Sequence, residues 1–271
     1  MNEATHPQDP DALRYLEHWQ PVLYDAGQRL LGRVATASDH TSAVLDVGAG
    51  TGALTFAAAR RWPAARIMAL DASAAMLSLA QAQAEAGDDE RLEWLVADAA
   101  AAPVASESID VVLSAFMLQL VSDRTDVLTD IIRVLRRGGL FGFVTWIAEE
   151  LMLGADAEFD EAVYDLGLDD PDPAFREPKP GDYESVDEAR AELEAVGFGA
   201  VDAQAERLSY MWTRHDYLRF KEEYDERELF DSLSAADRAR LLERVAQRWD
   251  PLPESAFRLE APLVSVVARR P

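Results

Sequence analysis

The 271-residue chain carries 50 Asp and Glu against 26 Lys and Arg, a formal net charge of −24, and has no cysteine. That length suits one large domain, or one domain with a sizeable insertion. The missing cysteines exclude disulfides, thiolate catalysis and Cys-based zinc sites, and so acidic a surface repels phosphate backbones, so DNA or RNA is not expected as a partner.

Residues 1–11 are polar and acidic, without the basic-then-apolar order of a signal peptide. No apolar run reaches the ~20 residues that span a bilayer. The expectation is a cytoplasmic protein with no membrane span. The four histidines, His6, His18, His40 and His215, are not paired at metal-ligand spacing on one helix, so no metal is expected. Lysine occurs only at Lys179 and Lys221. Arg-rich codon usage and a high-salt cytoplasm both account for that bias, and neither bears on the fold.

Residues 11–35 read as helical, with Leu13, Leu16, Val22, Leu23, Leu30 and Leu31 apolar and Pro21 as a break. A strand at 43–47, a helix at 53–61 and a strand at 66–70 follow. Residues 73–86 form a helix stopped by Gly87, and strands follow at 92–96 and 109–114. Ser122 caps a helix that runs to Arg137 and ends in Gly138-Gly139, before a fifth strand at 140–146. The rhythm then changes. Residues 149–166 look helical and 169–183 form a loop rich in Pro and Asp. Ser185-Val186-Asp187-Glu188 is a capping box opening a helix that Gly197 closes. A sixth strand at 200–208, a helical stretch at 213–249 with Ser234 as an internal N-cap, and a strand at 257–268 complete the chain. Alternating strands and helices predict an α/β fold, a Rossmann-like three-layer sandwich with a mostly parallel seven-stranded sheet and helical lid insertions.

The segment Val44-Leu45-Asp46-Val47-Gly48-Ala49-Gly50-Thr51-Gly52 joins the first strand to the first core helix. Glycine lets the backbone turn sharply and lie against a ligand, and the following helix points unpaired N–H groups back at it. Open α/β sheets hold nucleotide-like molecules in this way; a plain strand-to-helix turn is the alternative. The dinucleotide pattern G-x-G-x-x-G is not met, because Ala53 stands at the third glycine and Gly52 comes one residue early. A nicotinamide dinucleotide would also bring its pyrophosphate beside Asp46. A carboxylate there suits an ammonium group, and S-adenosylmethionine combines an amino-acid end, a sulfonium and an adenosine.

This segment resembles motif I of the class I S-adenosylmethionine-dependent methyltransferases. Four further segments fall in the family's order: Asp71-Ala72-Ser73 with Met76 one turn on, Asp98-Ala99, residues 109–121, and Arg133–Leu140, which resembles R-V-L-[RK]-P-G-G-x with Arg137 in place of proline. Together they cover residues 44–146 and resemble the ubiquinone/menaquinone-biosynthesis type. The resemblance implies a cofactor site of Asp46, Gly48, Ala49, Gly50, Gly52, Asp71, Ala72, Met76, Asp98, Ala99 and Ser114. In it Asp71 takes the ribose hydroxyls, Asp98 the adenine amino group, and Met76 packs on the ring. A helix cap at Asp71, a core methionine at 76 and a surface acid at 98 are the plain alternatives.

Departures narrow the chemistry. Ser114-Ala115-Phe116-Met117 replaces the Asn/Asp-Pro-Pro-Tyr of amino-methylating DNA enzymes. Ser114 cannot replace the carboxylates of metal-dependent catechol-type enzymes. Gln119, where some O-methyltransferases place a histidine, cannot serve as a base. The expectation is methyl transfer from S-adenosylmethionine to a small hydrophobic or aromatic molecule, with the single domain 1–271 divided into N-terminal helices (1–40), a cofactor core (41–146), insertions on the acceptor side (147–197 and 209–256) and final strands (198–208 and 257–271). Tyr15, Trp19, Tyr24, Trp146, Tyr210, Trp212, Tyr217, Phe220 and Tyr224 are candidate pocket aromatics, for each of which ordinary packing is the alternative. His215 is the candidate base, and Glu222-Glu223 reads as a solvated helix face. A cofactor-binding protein of this fold, with a regulatory or assembly role and no catalysis, is the second reading.

Overall fold

The computed structural model describes residues 9–37, 41–84, 90–121, 123–168, 179 and 181–271. The expected helix stop at Gly87, the cap at Ser122, His6, His40 and most of the 169–183 loop lie outside the described residues. In chain order the elements are α1 (Pro10–Arg14), α2 (Gln20–Ala37), β1 (Ala43–Val47), α3 (Ala53–Arg61), β2 (Arg66–Asp71), α4 (Ala74–Gln83), β3 (Leu92–Val96), β4 (Ile109–Ala115), α5 (Arg124–Val134), β5 (Leu135–Trp146), α6 (Gly154–Asp165), α7 (Val186–Val196), β6 (Gly199–Met211), α8 (Arg214–Phe220), α9 (Arg227–Ser232), α10 (Ala235–Trp249) and β7 (Arg258–Arg269).

The seven strands form one sheet in the order β3-β2-β1-β4-β5-β7-β6. The pairs from β3 to β5 are parallel and β7 runs antiparallel to β5. Strand order reverses between β1 and β4, so the carboxyl ends of these two strands frame the crevice where α/β sheets bind ligands. One sheet face packs on α5, whose Val127, Leu128, Ile131 and Val134 join Val112, Phe141 and Phe143 in one core cluster. Full burial of each such side chain contributes roughly 1.5–3 kcal/mol. On β5, a Cβ added to Gly142 would lie 2.3 Å from Val34 and 3.3 Å from Leu30 of α2, so the helix can approach only over a glycine. Among the described residues no helix is long and apolar enough to cross a membrane.

Three elements differ from the sequence expectation. Pro21 does not break the N-terminal helix. Residues Tyr15–Trp19 widen into a π-helical turn, in which the Gln20 N–H bonds to the Tyr15 carbonyl; this turn precedes a proline that lacks an N–H and would crowd a regular preceding turn. Helix α5 stops at Val134, not Arg137, and Gly138-Gly139 belong to β5. Gly138, at φ +75, donates its N–H to Arg270 O, which makes the pair a kink in a strand. The stretch 213–249 is broken by a second π-helical turn at Lys221–Asp225.

The chain divides into two compact units, Met1–Ala148 with Lys179–Glu206 and Pro262–Pro271, and Glu149–Pro178 with Arg207–Ala261. Helix α7, expected in an insertion, belongs to the first unit. Ser185 caps it by accepting from the Glu188 N–H, and Gly197 closes it at φ +109. The second unit has its own core, where Tyr217, Trp249 and Phe257 contact one another at 5.1–5.9 Å between ring centroids. Trp212 and Phe220 pack on the same tyrosine. Lys221 is 2 % exposed there, with its Nζ 3.1 Å from Asp156 and 2.7 Å from Asp225.

Candidate active site

The loop after β1 contains three glycines with three different reasons. Gly48 turns at φ +74, and a Cβ there would fall 2.4 Å from the Met117 side chain. Gly52, at φ +88, would collide with Phe56 at 2.7 Å. Gly50, at φ +54, would meet nothing within 4 Å; it lines the cavity described below, and a side chain there would occupy space that a ligand could use. Neighbouring strands hold the loop in place. The Gly48 and Ala49 N–H groups donate to Leu70 O, at 2.8 and 3.0 Å. The Gly50 N–H donates to Asp71 Oδ2 at 2.8 Å.

Two compartments open on this loop. The smaller, about 60 Å³, is lined by Asp46, Gly48–Thr51, Ala53 and Leu54, by Tyr15, Gln20, Leu23, Tyr24, Gly27 and Gln28 from the N-terminal helices, and by Ala115 and Phe116. The larger, about 510 Å³, is lined by Asp71, Ala72, Ser73 and Met76, by Ala97, Asp98 and Ala99, and by Ala115–Met117, Leu120 and Val121. Tyr15, Gly48, Gly50, Ala115 and Phe116 line both.

Each acid has a distinct setting. Asp46 is 1 % exposed and accepts a hydrogen bond from Thr55 Oγ1 at 2.6 Å. Burial pushes its pKa from 3.8 up to about 7, against the Thr55 hydrogen bond and with help from the Asp71 charge. Asp71 accepts from Gly50 N on one oxygen and from Ser73 N, at 2.8 Å, on the other. A carboxylate has about four lone-pair sites, so each oxygen keeps one for a ligand. Asp98 is exposed and bonds locally to the Ala100 N–H at 2.8 Å, leaving its second oxygen unpaired in that turn.

The structure brings Asp46, Gly48, Ala49, Gly50, Asp71, Ala72, Met76, Asp98 and Ala99 to these two compartments. Gly52 and Ser114 line neither. Gly52 packs on Phe56, and Ser114 is buried within β4, with an Oγ that has no hydrogen-bond partner. The candidate base His215 is exposed on α8 and lines a different cavity, with Trp212, Arg214 and Phe257. Trp146 is buried, 6.3 Å from Trp19 and 5.1 Å from Phe116 between ring centroids. Phe116 is the residue sequence reasoning missed. It has φ +54, a conformation that bulky side chains rarely adopt, and nothing in its own sequence neighbourhood announces that.

Residues 44–139 match the family model described as a methyltransferase domain. Over these residues the chain is similar to methyltransferase domains. The chain is 36% identical over 141 residues to a malonyl-[acyl-carrier protein] O-methyltransferase of Xylella fastidiosa, covering 52% of this chain and 44% of that one. It is 42% identical over 97 residues to the ubiquinone/menaquinone biosynthesis C-methyltransferase UbiE of Dinoroseobacter shibae, covering 35% and 39%. The chain thus spans less than half the length of these curated relatives. A structure of Haemonchus contortus phosphoethanolamine N-methyltransferase 2 with S-adenosyl-L-methionine superposes with a TM-score of 0.58 at 16% identity, over 99% of this chain and 58% of that one. The three candidate acids, Asp46, Asp71 and Asp98, lie at or just beyond the carboxyl ends of β1, β2 and β3.

Proposed function

We propose that this chain binds S-adenosylmethionine and transfers its methyl group to a small, uncharged, hydrophobic or aromatic acceptor. The observation that carries the reading is the pair of adjoining compartments, with Asp46 in one and Asp71 and Asp98 in the other. Asp46 suits the ammonium of the amino-acid end, Asp71 the ribose hydroxyls, Asp98 the adenine amino group and Met76 the ring face. Gly50 supplies the open backbone that a bound molecule of this length needs. Phe116 and Tyr15, common to both compartments, offer aromatic faces to a cation.

When bound, the sulfonium supplies a methyl group already activated for in-line displacement. What the chain contributes is alignment and exclusion of water, and good orientation is worth up to ~7–11 kcal/mol. The acceptor side is assigned to Tyr15, Leu23, Tyr24 and Phe116. Among the described residues lining both compartments there is no Lys, Arg or His, so a carboxylate or phosphate acceptor would find no countercharge. That supports an uncharged acceptor.

Calorimetry with S-adenosylmethionine, S-adenosylhomocysteine and NAD tests the cofactor. The first two are expected to bind and NAD is not; tight NAD binding alone would overturn the reading. Methyl-labelled cofactor offered with phenolic, quinone-like and carboxylate acceptors then tests the rest. Label is expected on a neutral acceptor. Tight cofactor binding without transfer to any acceptor would favour a regulatory or assembly role.

A further inference from the structure

Phe116 stands where β4 leaves the sheet, and its backbone is left-handed although it carries a bulky side chain. Something must hold it. Its N–H donates to Val144 O at 2.8 Å. Its carbonyl accepts from Gln119 Nε2 at 2.5 Å, and Gln119 Oε1 accepts from Thr145 Oγ1 at 2.5 Å. Thr145 is fully buried and Gln119 nearly so. A carbonyl can only accept, so Phe116 O fixes which end of the Gln119 amide faces it, and the Thr145 hydroxyl satisfies the other end. Gly181 packs on the backbone of Gln119 so closely that a Cβ there would lie 2.3 Å from the Gln119 carbonyl oxygen.

We propose that Gln119 is a positioning residue: its side-chain amide, oriented by Thr145, locks Phe116 in the left-handed conformation that makes Phe116 part of the wall shared by the two compartments. The role is not that of a base, which the amide cannot be. It rests on the cofactor reading only for its effect on binding; the lock itself is a property of the free protein.

Two measurements test it. Hydrogen exchange across residues 114–121, without ligand, reads the lock directly. Loss of one buried hydrogen bond is expected to speed exchange there by about tenfold in Gln119→Leu, less in Thr145→Val, with the rest of the sheet unchanged. Affinity for S-adenosylhomocysteine reads the consequence. Gln119→Leu is expected to weaken it by about tenfold, and adding Thr145→Val to Gln119→Leu should cost nothing further, because the two act in series. Gln119→Glu separates positioning from packing, since it is isosteric and donates only when protonated. Its dissociation constant relative to wild type should rise with pH. Unchanged exchange in both single variants, or independent effects in the double variant, would overturn the proposal. Should Gln119→Leu fail to fold, Thr145→Val, which keeps its volume, decides by the same exchange measurement. If wild type binds no S-adenosylhomocysteine, the cofactor reading fails while the exchange result still judges the lock.

Discussion

Burial sets the charge state of Asp46, and the sign of its effect on stability follows. An unfolded carboxylate near 3.8 and a folded one near 7 mean that the folded chain holds an extra proton between those values. Stability from this group is therefore lost as pH rises from about 4 to about 7, by on the order of a few kcal/mol, and the penalty is complete above that window. Asp46→Asn can still accept from Thr55. It is expected to flatten this slope in pH-dependent denaturation and to be the more stable protein at pH 8. Binding of an ammonium beside Asp46 would ionise it. Calorimetry near pH 6.5 in buffers of different ionisation enthalpy should thus find proton release in wild type and none in Asp46→Asn. The glycines give a second contrast at this scale. Gly48→Ala meets Met117 at a left-handed backbone and should lose about 1–3 kcal/mol of stability. Gly50→Ala has open space and should lose about 1 kcal/mol, while its methyl group lowers cofactor affinity by about tenfold or more. Melting temperature and dissociation constant measured on the same two variants separate the cases.

Elements whose signal is local were legible in the sequence. Strands β1 to β4 are short apolar runs, and Asp46, Asp71 and Asp98 could be placed because each lies in or just after such a run. Ser185 and Gly197 mark the two ends of α7 for the same reason. The misreadings share a cause in distant partners. Gly138-Gly139 reads as a helix stop until Arg270 pairs with it, and Phe116 reads as ordinary until Thr145, far along the chain, orients Gln119. The long helical stretch after residue 213 conceals a π-helical turn at Lys221, whose charge is met by Asp156 from another helix. Gly142 belongs to this class as well, since Val34 and Leu30 of α2 are what forbid a side chain there. Gly142→Ala is expected to lose about 1–3 kcal/mol through overpacking, and Val34→Ala in the same chain should restore part of it. Additive losses in a denaturation series of the two single variants and the double would argue against direct contact.

Across the whole molecule, a charge of −24 makes self-repulsion the dominant long-range term. Raising KCl from about 0.05 to 0.5 M shortens the screening length severalfold, and the melting temperature is expected to rise with it. A further rise into molar KCl would mark adaptation to a salty interior, whereas a plateau would fit codon usage alone. In the second unit Lys221→Met would leave the buried Asp156 and Glu226 and the half-buried Asp225 without this cation. It is expected to lose about 3–5 kcal/mol, read as a lower melting temperature. The strand order also imposes a schedule on synthesis. β7 lies between β5 and β6 but leaves the ribosome after both, with Leu263 as the partner of Trp146. Until β7 emerges, β5 presents an open edge and β6 has no neighbour to join. The nascent sheet can close through β4 and β5 early, yet β6 joins it only through β7, so the slowest step in forming this protein is expected to be the docking of these two strands.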